Sequence, residues 1–169
     1  MDVSQWIADS LAKGSPLTYQ LVDLAELNLP MLDEPVPAAF HDYRHEHTRK
    51  WSALVTGFDA FVFVFPQYNW GYPGVLKNAL DFLYDEWGGK PASVVTYGMR
   101  GGARGAAQLI DVLHGLHMDV TRHHVEVVVT PAHLNVEGQL IDRDATLGPS
   151  RDAVRELDME LAQTLTGGR

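Results

Sequence analysis

The 169-residue chain contains no cysteine, so neither disulfides nor thiolate chemistry can contribute to its fold or function. Cations are also scarce, because 13 Lys and Arg stand against 22 Asp and Glu and give a net charge of −9. A surface that binds a phosphate backbone needs clustered cations, so we expect no nucleic-acid partner. No apolar run approaches the roughly 20 residues of a membrane span, and no signal peptide opens the sequence. We therefore expect no membrane partner and a cytoplasmic location.

Motifs of hydrolytic and metal sites are missing as well. No serine stands in a G-x-S-x-G nucleophile elbow, and no nucleophile–base pair is evident. His41 and His45 are one helical turn apart, but no carboxylates at a metal-site spacing surround them, which favours a solvated helix face. We predict neither a catalytic side chain nor a metal site, so the chemistry would belong to a cofactor.

What the sequence does contain is the material of one globular domain over residues 1–169, with 46% hydrophobic residues. An unbroken apolar run at 61–65 and a second, mostly apolar run at 92–97 are typical of parallel strands covered by helices on both faces. Helix-period segments alternate with such runs, which predicts an α/β fold with a parallel sheet. The predicted elements are helices over Val3–Leu11, His41–Val55, Leu76–Leu83, Ala106–Leu113 and Val154–Leu165, strands over Leu17–Asp23, Phe61–Phe65, Ala92–Tyr97 and Val125–Val129, and a hairpin over His133–Asp142.

The most informative segment follows the first of the two apolar runs. Pro66-Gln67-Tyr68-Asn69-Trp70 comes directly after that run, and a helix-period pattern begins beyond Pro73. A glycine-rich loop over 98–102 follows the next strand in the same way. Ligands of open α/β sheets bind at the carboxyl ends of the strands. Loops built from aromatic, amide and glycine residues suit a flat ligand that forms hydrogen bonds.

This sequence resembles the NADPH-dependent FMN reductases, whose fold is flavodoxin-like. The stretch P-Q-Y-N at 66–69, followed by Y-P-G-V-L-K-N-A-L-D at 72–81, is close to the family's P-E-Y-N and P-G-x-L-K-N-A-x-D. The resemblance extends from the first predicted helix to the last. It implies a flavodoxin-like three-layer sandwich around a parallel sheet, with FMN as the cofactor and NAD(P)H as the co-substrate.

In that family, the turn after the third strand and the glycine-rich loop after the fourth hold the flavin ring. The resemblance implies that ten residues of this chain bind the cofactor: Pro66, Gln67, Tyr68, Asn69, Trp70, Gly98, Met99, Arg100, Gly101 and Gly102. Gln67 stands where the family commonly has Glu, so an amide replaces a carboxylate. Arg100 and Arg104 either hold a phosphate or face solvent. Trp70 either stacks on the flavin or packs in the core or a subunit interface.

The start of the sequence departs from the family pattern. The family begins with a strand and a G-S-x-R-x-x-S loop that cradles the FMN phosphate, whereas this sequence begins at the first helix. Three arrangements remain open. A longer protein carries the strand upstream, the sheet closes by placing Leu17–Asp23 beside Phe61–Phe65, or a partner chain supplies the strand. Without the phosphate loop, we expect FMN to bind weakly.

The resemblance implies an oxidoreductase that passes two electrons from NAD(P)H through FMN to a quinone or a similar small-molecule acceptor. Members of the family are commonly dimers or tetramers, so we expect a homodimer or homotetramer, with the helix after Pro73 as a natural contact surface. Two alternatives belong to other classes. One is a cofactor-free binding or assembly protein that keeps the fold but has lost the phosphate site. The other is a hydrolase, for which the sequence offers no nucleophile.

Overall fold

The apolar runs of the sequence form a parallel sheet, and the amphipathic segments form helices that cover it. The computed structural model of the protein describes residues 3–167. Its helices are α1 (Val3–Ala12), α2 (Leu24–Leu27), α3 (Glu46–Thr56), α4 (Gly74–Asp81), α5 (Ala103–Gly115), α6 (Arg143–Leu147) and α7 (Arg151–Gly167). Its strands are β1 (Phe61–Pro66), β2 (Pro91–Gly98), β3 (Asp119–Val120) and β4 (Val125–Val128).

Strand β2 lies at the centre of this sheet. Along one edge it pairs in parallel with β1, from Phe61 opposite Ala92 to Pro66 opposite Tyr97. Along its other edge it pairs first with β3 and then with β4, again in parallel. Parallel neighbours need crossover connections, and the helices between the strands provide them. The structure therefore confirms the predicted α/β class with a parallel sheet.

The hydrophobic core has one part on each face of the sheet. On one face, α1 and α7 pack against the valines of β2 and β4. On the other face, α3, α4 and α5 enclose a larger cluster that includes Trp51, Trp87 and Leu109. Strand β2 is buried between the two helix layers, which explains why its sequence shows no alternation of polar and apolar residues.

The segment Leu17–Asp23 has no regular secondary structure, so the predicted strand was wrong. Within residues 3–167 it joins no β-ladder, and β1 pairs with β2 alone. The arrangement in which this segment closes the sheet beside Phe61–Phe65 was therefore wrong as well. A strand is stable only when its backbone groups find a hydrogen-bonded neighbour, and a cavity separates this segment from β1.

The helix predicted over His41–Val55 is also shorter than expected, since α3 begins only at Glu46. The cause is a contact with an earlier part of the chain. The Glu34 carboxylate accepts hydrogen bonds from the backbone N–H groups of Arg44 and His45, at 2.8 and 3.0 Å. These bonds hold the backbone before Glu46 in a non-helical conformation.

The hairpin predicted over His133–Asp142 is a loop with one antiparallel bridge, between Leu134 and Leu140, and has no regular strands. The Asn135 side chain holds its turn by accepting a hydrogen bond from the Gln139 backbone at 2.8 Å. The other predicted helices and strands are present, with ends shifted by a turn or less. Within the described part of the chain, none of the helices has the length and apolarity that crossing a membrane requires.

Candidate functional site

The two predicted ligand loops leave the sheet side by side. Strands β1 and β2 are neighbours, and Pro66 lies opposite Tyr97 at their carboxyl ends. Gln67 continues the ladder by donating its backbone N–H to the Tyr97 carbonyl at 2.9 Å. Segments 66–70 and 98–102 therefore begin at adjacent points on one edge of the sheet, which is the usual ligand-binding edge of such folds.

The first loop is a tight turn with an unusual backbone conformation. Tyr68 and Gly71 exchange two backbone hydrogen bonds, of 2.9 and 2.8 Å, which enclose Asn69 and Trp70. Both enclosed residues have positive φ, +47° and +71°, as a type I′ turn requires. For a bulky residue such as Trp, this conformation costs about 1–2 kcal/mol. Strain of this kind collects at ligand clamps, and here it fixes the exposed Trp70 ring at the rim of the site.

The second loop needs glycine at two positions. Gly101 and Gly102 have φ values of +81° and +108°. A Cβ atom added to Gly102 would lie 2.7 Å from Thr96 Oγ1, and one added to Gly101 would lie 2.9 Å from the Glu126 side chain. Thr96 Oγ1 in turn donates a hydrogen bond to the Gly101 carbonyl at 2.8 Å. The loop is thereby folded tightly against β2, with Met99 exposed at its tip.

The Gln67 side chain joins the two loops. Its oxygen accepts a hydrogen bond from the Gly105 N–H, in the first turn of α5, at 2.9 Å. A Cβ atom added to Gly105 would lie 3.3 Å from the Gly71 carbonyl oxygen, so glycine permits the close approach of α5 to the turn. The side-chain oxygen of Gln67 is therefore used within the protein, as a positioning group. A Glu at this position could accept the same bond.

Four backbone amides at the tips of the two loops have no protein acceptor. Among the described residues, the N–H groups of Asn69, Trp70, Met99 and Arg100 donate no hydrogen bond. Such donors suit the carbonyl oxygens and ring nitrogens of a flat heterocycle, because each ligand acceptor can meet a fixed N–H group.

Large, mostly apolar side chains surround these donors. Tyr68, Trp70 and Met99 are 64%, 61% and 67% exposed. The Arg104 guanidinium lies 3.7 Å from the centre of the Trp70 ring, a close cation–π contact. The rim of the site thus combines aromatic surface with one positive charge whose position the Trp70 ring fixes.

The half-buried tyrosines near the site are protonated at neutral pH. Burial raises the pKa of Tyr97 to about 12, with a smaller contribution from Tyr68. Burial also raises the pKa of Tyr72, against the opposing effect of Lys77. Neither Tyr97 nor Tyr72 therefore supplies an ionised acid–base group.

The histidines considered for a metal site lie in the loop before α3 and near its start. The rings of His45 and His47 stack with their centres 5.2 Å apart, and His47 Nε2 lies 2.9 Å from the Asp33 carboxylate. His41 Nδ1 lies 3.6 Å from the Asp85 carboxylate. No group of three or more His, Asp or Glu within residues 3–167 is arranged to hold a metal ion. These pairs join the loop to neighbouring surface segments.

The polar residues of α4 have structural partners. Lys77 and Asp81 form an ion pair of 2.6 Å one helical turn apart. The Asn78 side chain accepts a hydrogen bond from the Leu32 backbone at 2.9 Å and donates one to the Pro30 carbonyl at 2.8 Å. Asn78 therefore anchors the proline-rich connection to α4.

Comparison with solved structures defines the class of this fold. FerB, a flavoenzyme NAD(P)H:(acceptor) oxidoreductase from Paracoccus denitrificans, matches 95% of this chain and 88% of its own, with a TM-score of 0.70 and 22% identity. A flavodoxin, WrbA-like protein from Agrobacterium tumefaciens matches 99% of this chain and 92% of its own, with a TM-score of 0.58 and 18% identity. The protein therefore has a flavodoxin-like α/β fold, as predicted.

Within that class, sequence similarity identifies the family. The family model for NADPH-dependent FMN reductase matches residues 2–132, and the chain belongs to that family. It is 52% identical over 110 residues to NAD(P)H-dependent FMN reductase LOT6 from Saccharomyces cerevisiae, covering 62% of this chain and 58% of the relative. It is 27% identical over 150 residues to a 2-hydroxy-1,4-benzoquinone reductase from Burkholderia, covering 82% and 78%. The chain thus spans less than two thirds of the yeast relative.

Proposed function

We propose that the protein is an FMN-dependent NAD(P)H oxidoreductase that delivers two electrons to a quinone or a similar small-molecule acceptor. The observation that carries this proposal is the juxtaposition of the P-Q-Y-N turn and the glycine loop at the carboxyl ends of β1 and β2. Family membership supports the same chemistry. Two relatives, from yeast and from Burkholderia, are named as an FMN reductase and a benzoquinone reductase.

The residues at the two loops fit the ring of FMN. Free backbone N–H groups at both loop tips can bind its carbonyl oxygens and ring nitrogens, and Gly101 and Gly102 let the second loop fold tightly enough to present them. The residues that would hold the ring are the ten predicted from the sequence, at 66–70 and 98–102. Bound FMN would supply two-electron exchange between a nicotinamide and the acceptor.

The chain's own side chains have three roles in this proposal. Gln67 holds α5 against the turn, so the amides of both loops keep their spacing. Trp70 provides an aromatic surface at one edge of the ring site. Arg104, stacked on Trp70, places its charge at the rim, where an anionic group of the cofactor or of the nicotinamide nucleotide would enter.

We also propose that the protein is a cytoplasmic homo-oligomer with a single domain over residues 1–169. The exposed rim of Tyr68, Trp70 and Met99 continues to Val75 of α4, which is 55% exposed. A cluster of exposed apolar residues of this kind suits a subunit interface. Light scattering on the purified protein is expected to give the mass of a dimer or tetramer, and the mass of a monomer would contradict the oligomer.

The experiment for the activity uses the purified full chain with added FMN. We expect FMN fluorescence to be quenched on binding, and NADH or NADPH to be oxidised only when FMN and 1,4-benzoquinone are both present. FMN is supplied at a saturating concentration. Failure to bind FMN and to oxidise either nucleotide under these conditions would contradict the proposal and favour a cofactor-free binding protein.

A substitution in the turn separates function from folding. Trp70→Gly removes the ring but relieves the positive-φ strain, so we expect the melting temperature to change by less than about 3 °C. FMN affinity should fall at least tenfold, which corresponds to about 1.4 kcal/mol. Asn28→Gly is the matched control, since Asn28 also has a positive φ, +47°, but ends α2. It should leave FMN affinity unchanged.

A further inference from the structure

Met99 lies at the tip of the glycine-rich loop and is 67% exposed. The Gly101 N–H donates to the Gly98 carbonyl at 3.1 Å, which encloses Met99 and Arg100 in one turn. The backbone N–H groups of both enclosed residues have no protein acceptor among the described residues. The Met99 thioether therefore belongs to the same turn as two of the four amides that face a ligand.

The chain has no cysteine, so methionine is the sulfur side chain on which an oxidant can act. The described methionines differ widely in exposure: Met31 is 79% exposed, Met99 67%, Met159 50% and Met118 4%. Met31 lies in the proline-rich connection, Met159 in α7 and Met118 after α5. Of these four residues, Met99 alone combines exposure with a place in a ligand loop.

The proposed activity can itself supply an oxidant, and the present inference rests on that activity. Flavins also react with O₂, and a reduced flavin that meets O₂ in place of a quinone gives H₂O₂. A site that admits a nicotinamide and a quinone also admits H₂O₂. The Met99 sulfur is therefore within reach of peroxide even where the rim of the site is a subunit interface.

The oxidation of Met99 by peroxide is a simple oxygen transfer. The O–O bond of H₂O₂ breaks, one oxygen forms a bond to the thioether sulfur, and the other leaves as water with both protons. The sulfur loses two electrons and the peroxide gains them. The product is methionine sulfoxide, which sulfoxide reductases convert back to methionine.

The sulfoxide would change the hydrogen bonding of the turn. A thioether sulfur is only a weak acceptor, whereas a sulfoxide is polar and its oxygen accepts hydrogen bonds readily. The flexible methionine side chain lets this oxygen reach the free N–H of Met99 itself or of Arg100. A donor that pairs with the sulfoxide is no longer available to a ligand.

We propose that Met99 is a reversible redox switch of the ring site. As the thioether, it leaves the amides of Met99 and Arg100 free for the carbonyl oxygens and ring nitrogens of the flavin. As the sulfoxide, it occupies one of these donors and weakens FMN binding by about three- to tenfold, the effect of one lost hydrogen bond. Accumulated peroxide would thus release the cofactor and stop further peroxide formation.

The first experiment compares the full chain before and after mild H₂O₂ treatment. Peptide mass spectrometry should find one added oxygen on Met31 and Met99, less on Met159 and none on Met118, in the order of their exposure. After the peroxide is removed, titration with FMN should give an affinity about three- to tenfold lower. Treatment with methionine sulfoxide reductases A and B should restore the original affinity.

Three variants assign this loss to one residue. Met99→Leu cannot be oxidised at this position, so its FMN affinity, whatever its starting value, should not respond to peroxide. Met99→Gln carries a permanent side-chain acceptor and should bind FMN more weakly than Met99→Leu. Met31→Leu is the matched control, because Met31 is more exposed but lies outside both ligand loops. It should lose affinity on oxidation like the unchanged protein.

A second measurement needs no FMN. In the oxidised protein, the amide of Met99 or of Arg100 should exchange hydrogen at least about threefold more slowly than in the untreated protein. Exchange at the Asn69 amide of the other loop provides the reference and should change less. Circular dichroism before and after treatment checks that oxidation leaves the fold intact.

Several outcomes would overturn the proposal. An unmodified Met99 in a protein oxidised at Met31 would show that its sulfur is not accessible. Equal losses of affinity in Met99→Leu and in the unchanged protein would assign the effect to another residue. Unchanged exchange at both Met99 and Arg100 would refute the new hydrogen bond. Failure of the untreated protein to bind FMN would instead contradict the proposed function, while the mass and exchange measurements would still test the switch.

Discussion

Strands β1 and β2 are adjacent, almost entirely apolar in their first five residues and similar in length, yet their surroundings differ. The first six residues of β2 are buried, whereas in β1 only Phe65 is. β2 has a strand on each edge, and β1 has one neighbour among the described residues. The apolar sequence of β1 is therefore typical of a strand inside a sheet, but the described residues place a neighbouring strand along only one of its edges.

This difference shows that the polarity pattern of a strand indicates the environment in which the strand is stable. An all-apolar strand is expected where helices cover both faces and other strands lie along both edges. In β1 the helices are present, but a cavity of about 780 Å³ lies along the outer edge of the strand. The carboxyl end of β1 is nevertheless well ordered by contacts with β2 and α5, so the site does not depend on the outer edge for its turn.

The largest expected effect contrasts the tight packing of the glycine loop against β2 with an open loop position elsewhere in the chain. Gly102→Ala would drive a methyl group to 2.7 Å from Thr96 Oγ1 at a positive φ. We expect the free energy of unfolding to fall by about 3 kcal/mol, from overpacking and backbone strain. Gly138→Ala is the matched control, because Gly138 has a φ of +75° but no atom within 4 Å of the added Cβ. Urea unfolding measures both, and equal losses would contradict the contrast.

The next effect compares two valines that are opposite each other in register. Val95 of β2 is fully buried, and its partner Val64 of β1 is half-buried. Val95→Ala should cost about 2–3 kcal/mol of unfolding free energy, and Val64→Ala about 1 kcal/mol. If the two costs were equal, β1 would be as well buried as β2 and its outer edge would be closed. The measurement is again urea unfolding.

A smaller effect concerns the far edge of the sheet, where a carboxylate holds the loop before β4. Burial opposes ionisation of Glu160, but hydrogen bonds from the Arg122 and His123 backbones and the His123 ring outweigh it and lower its pKa. Glu160→Gln should cost about 2 kcal/mol at pH 7.

The pH dependence of this cost has a definite sign. Because the folded-state pKa of Glu160 is lowered, its stabilising effect is complete above the ordinary value of 4.5 and is lost as pH falls through the lowered value. The difference between Glu160→Gln and the unchanged protein should therefore shrink below about pH 4.5. A difference that grew on acidification would contradict the assignment. Thermal melts between pH 3 and 8 measure it.

The smallest expected effect tests the hydrogen bond that links Gln67, after β1, to Gly105 of α5. Gln67→Leu leaves the Gly105 N–H without its acceptor at 2.9 Å and should cost about 1 kcal/mol. Gln67→Glu keeps an acceptor and should be nearly neutral. FMN affinity should likewise fall in Gln67→Leu and be retained in Gln67→Glu. A Gln67→Leu protein with unchanged stability and affinity would show that the hydrogen bond between Gln67 and Gly105 has no positioning role.

The sequence predicted an element correctly where its local pattern of polar and apolar residues matches the surroundings that it has in the fold. The runs 61–65 and 92–97 became β1 and β2 because both lie between helix layers. Leu17–Asp23 has a strand-like pattern, but strand formation depends on a partner that a pattern does not reveal. The start of α3 was misplaced for a similar reason, since Glu34, a distant residue in the sequence, fixes the backbone before it.

The candidate site was predicted as two groups of residues, and the structure adds the contacts between them. Their adjacency follows from parallel pairing of consecutive strands, which the sequence indicated. The bond from Gly105 to Gln67 and the stacking of Arg104 on Trp70 depend on the angle at which α5 meets the turn. No sequence pattern fixes that angle, although the glycine at 105 is a sign that two backbones approach closely.

The most direct test of the central claim is residue-resolved hydrogen exchange on the chain alone. If the outer edge of β1 is open, the Val62 and Val64 amides should exchange at least about 100-fold faster than those of Phe63 and Val95. Equal protection of all four amides would contradict the account, because it would show that the outer edge of β1 is already paired.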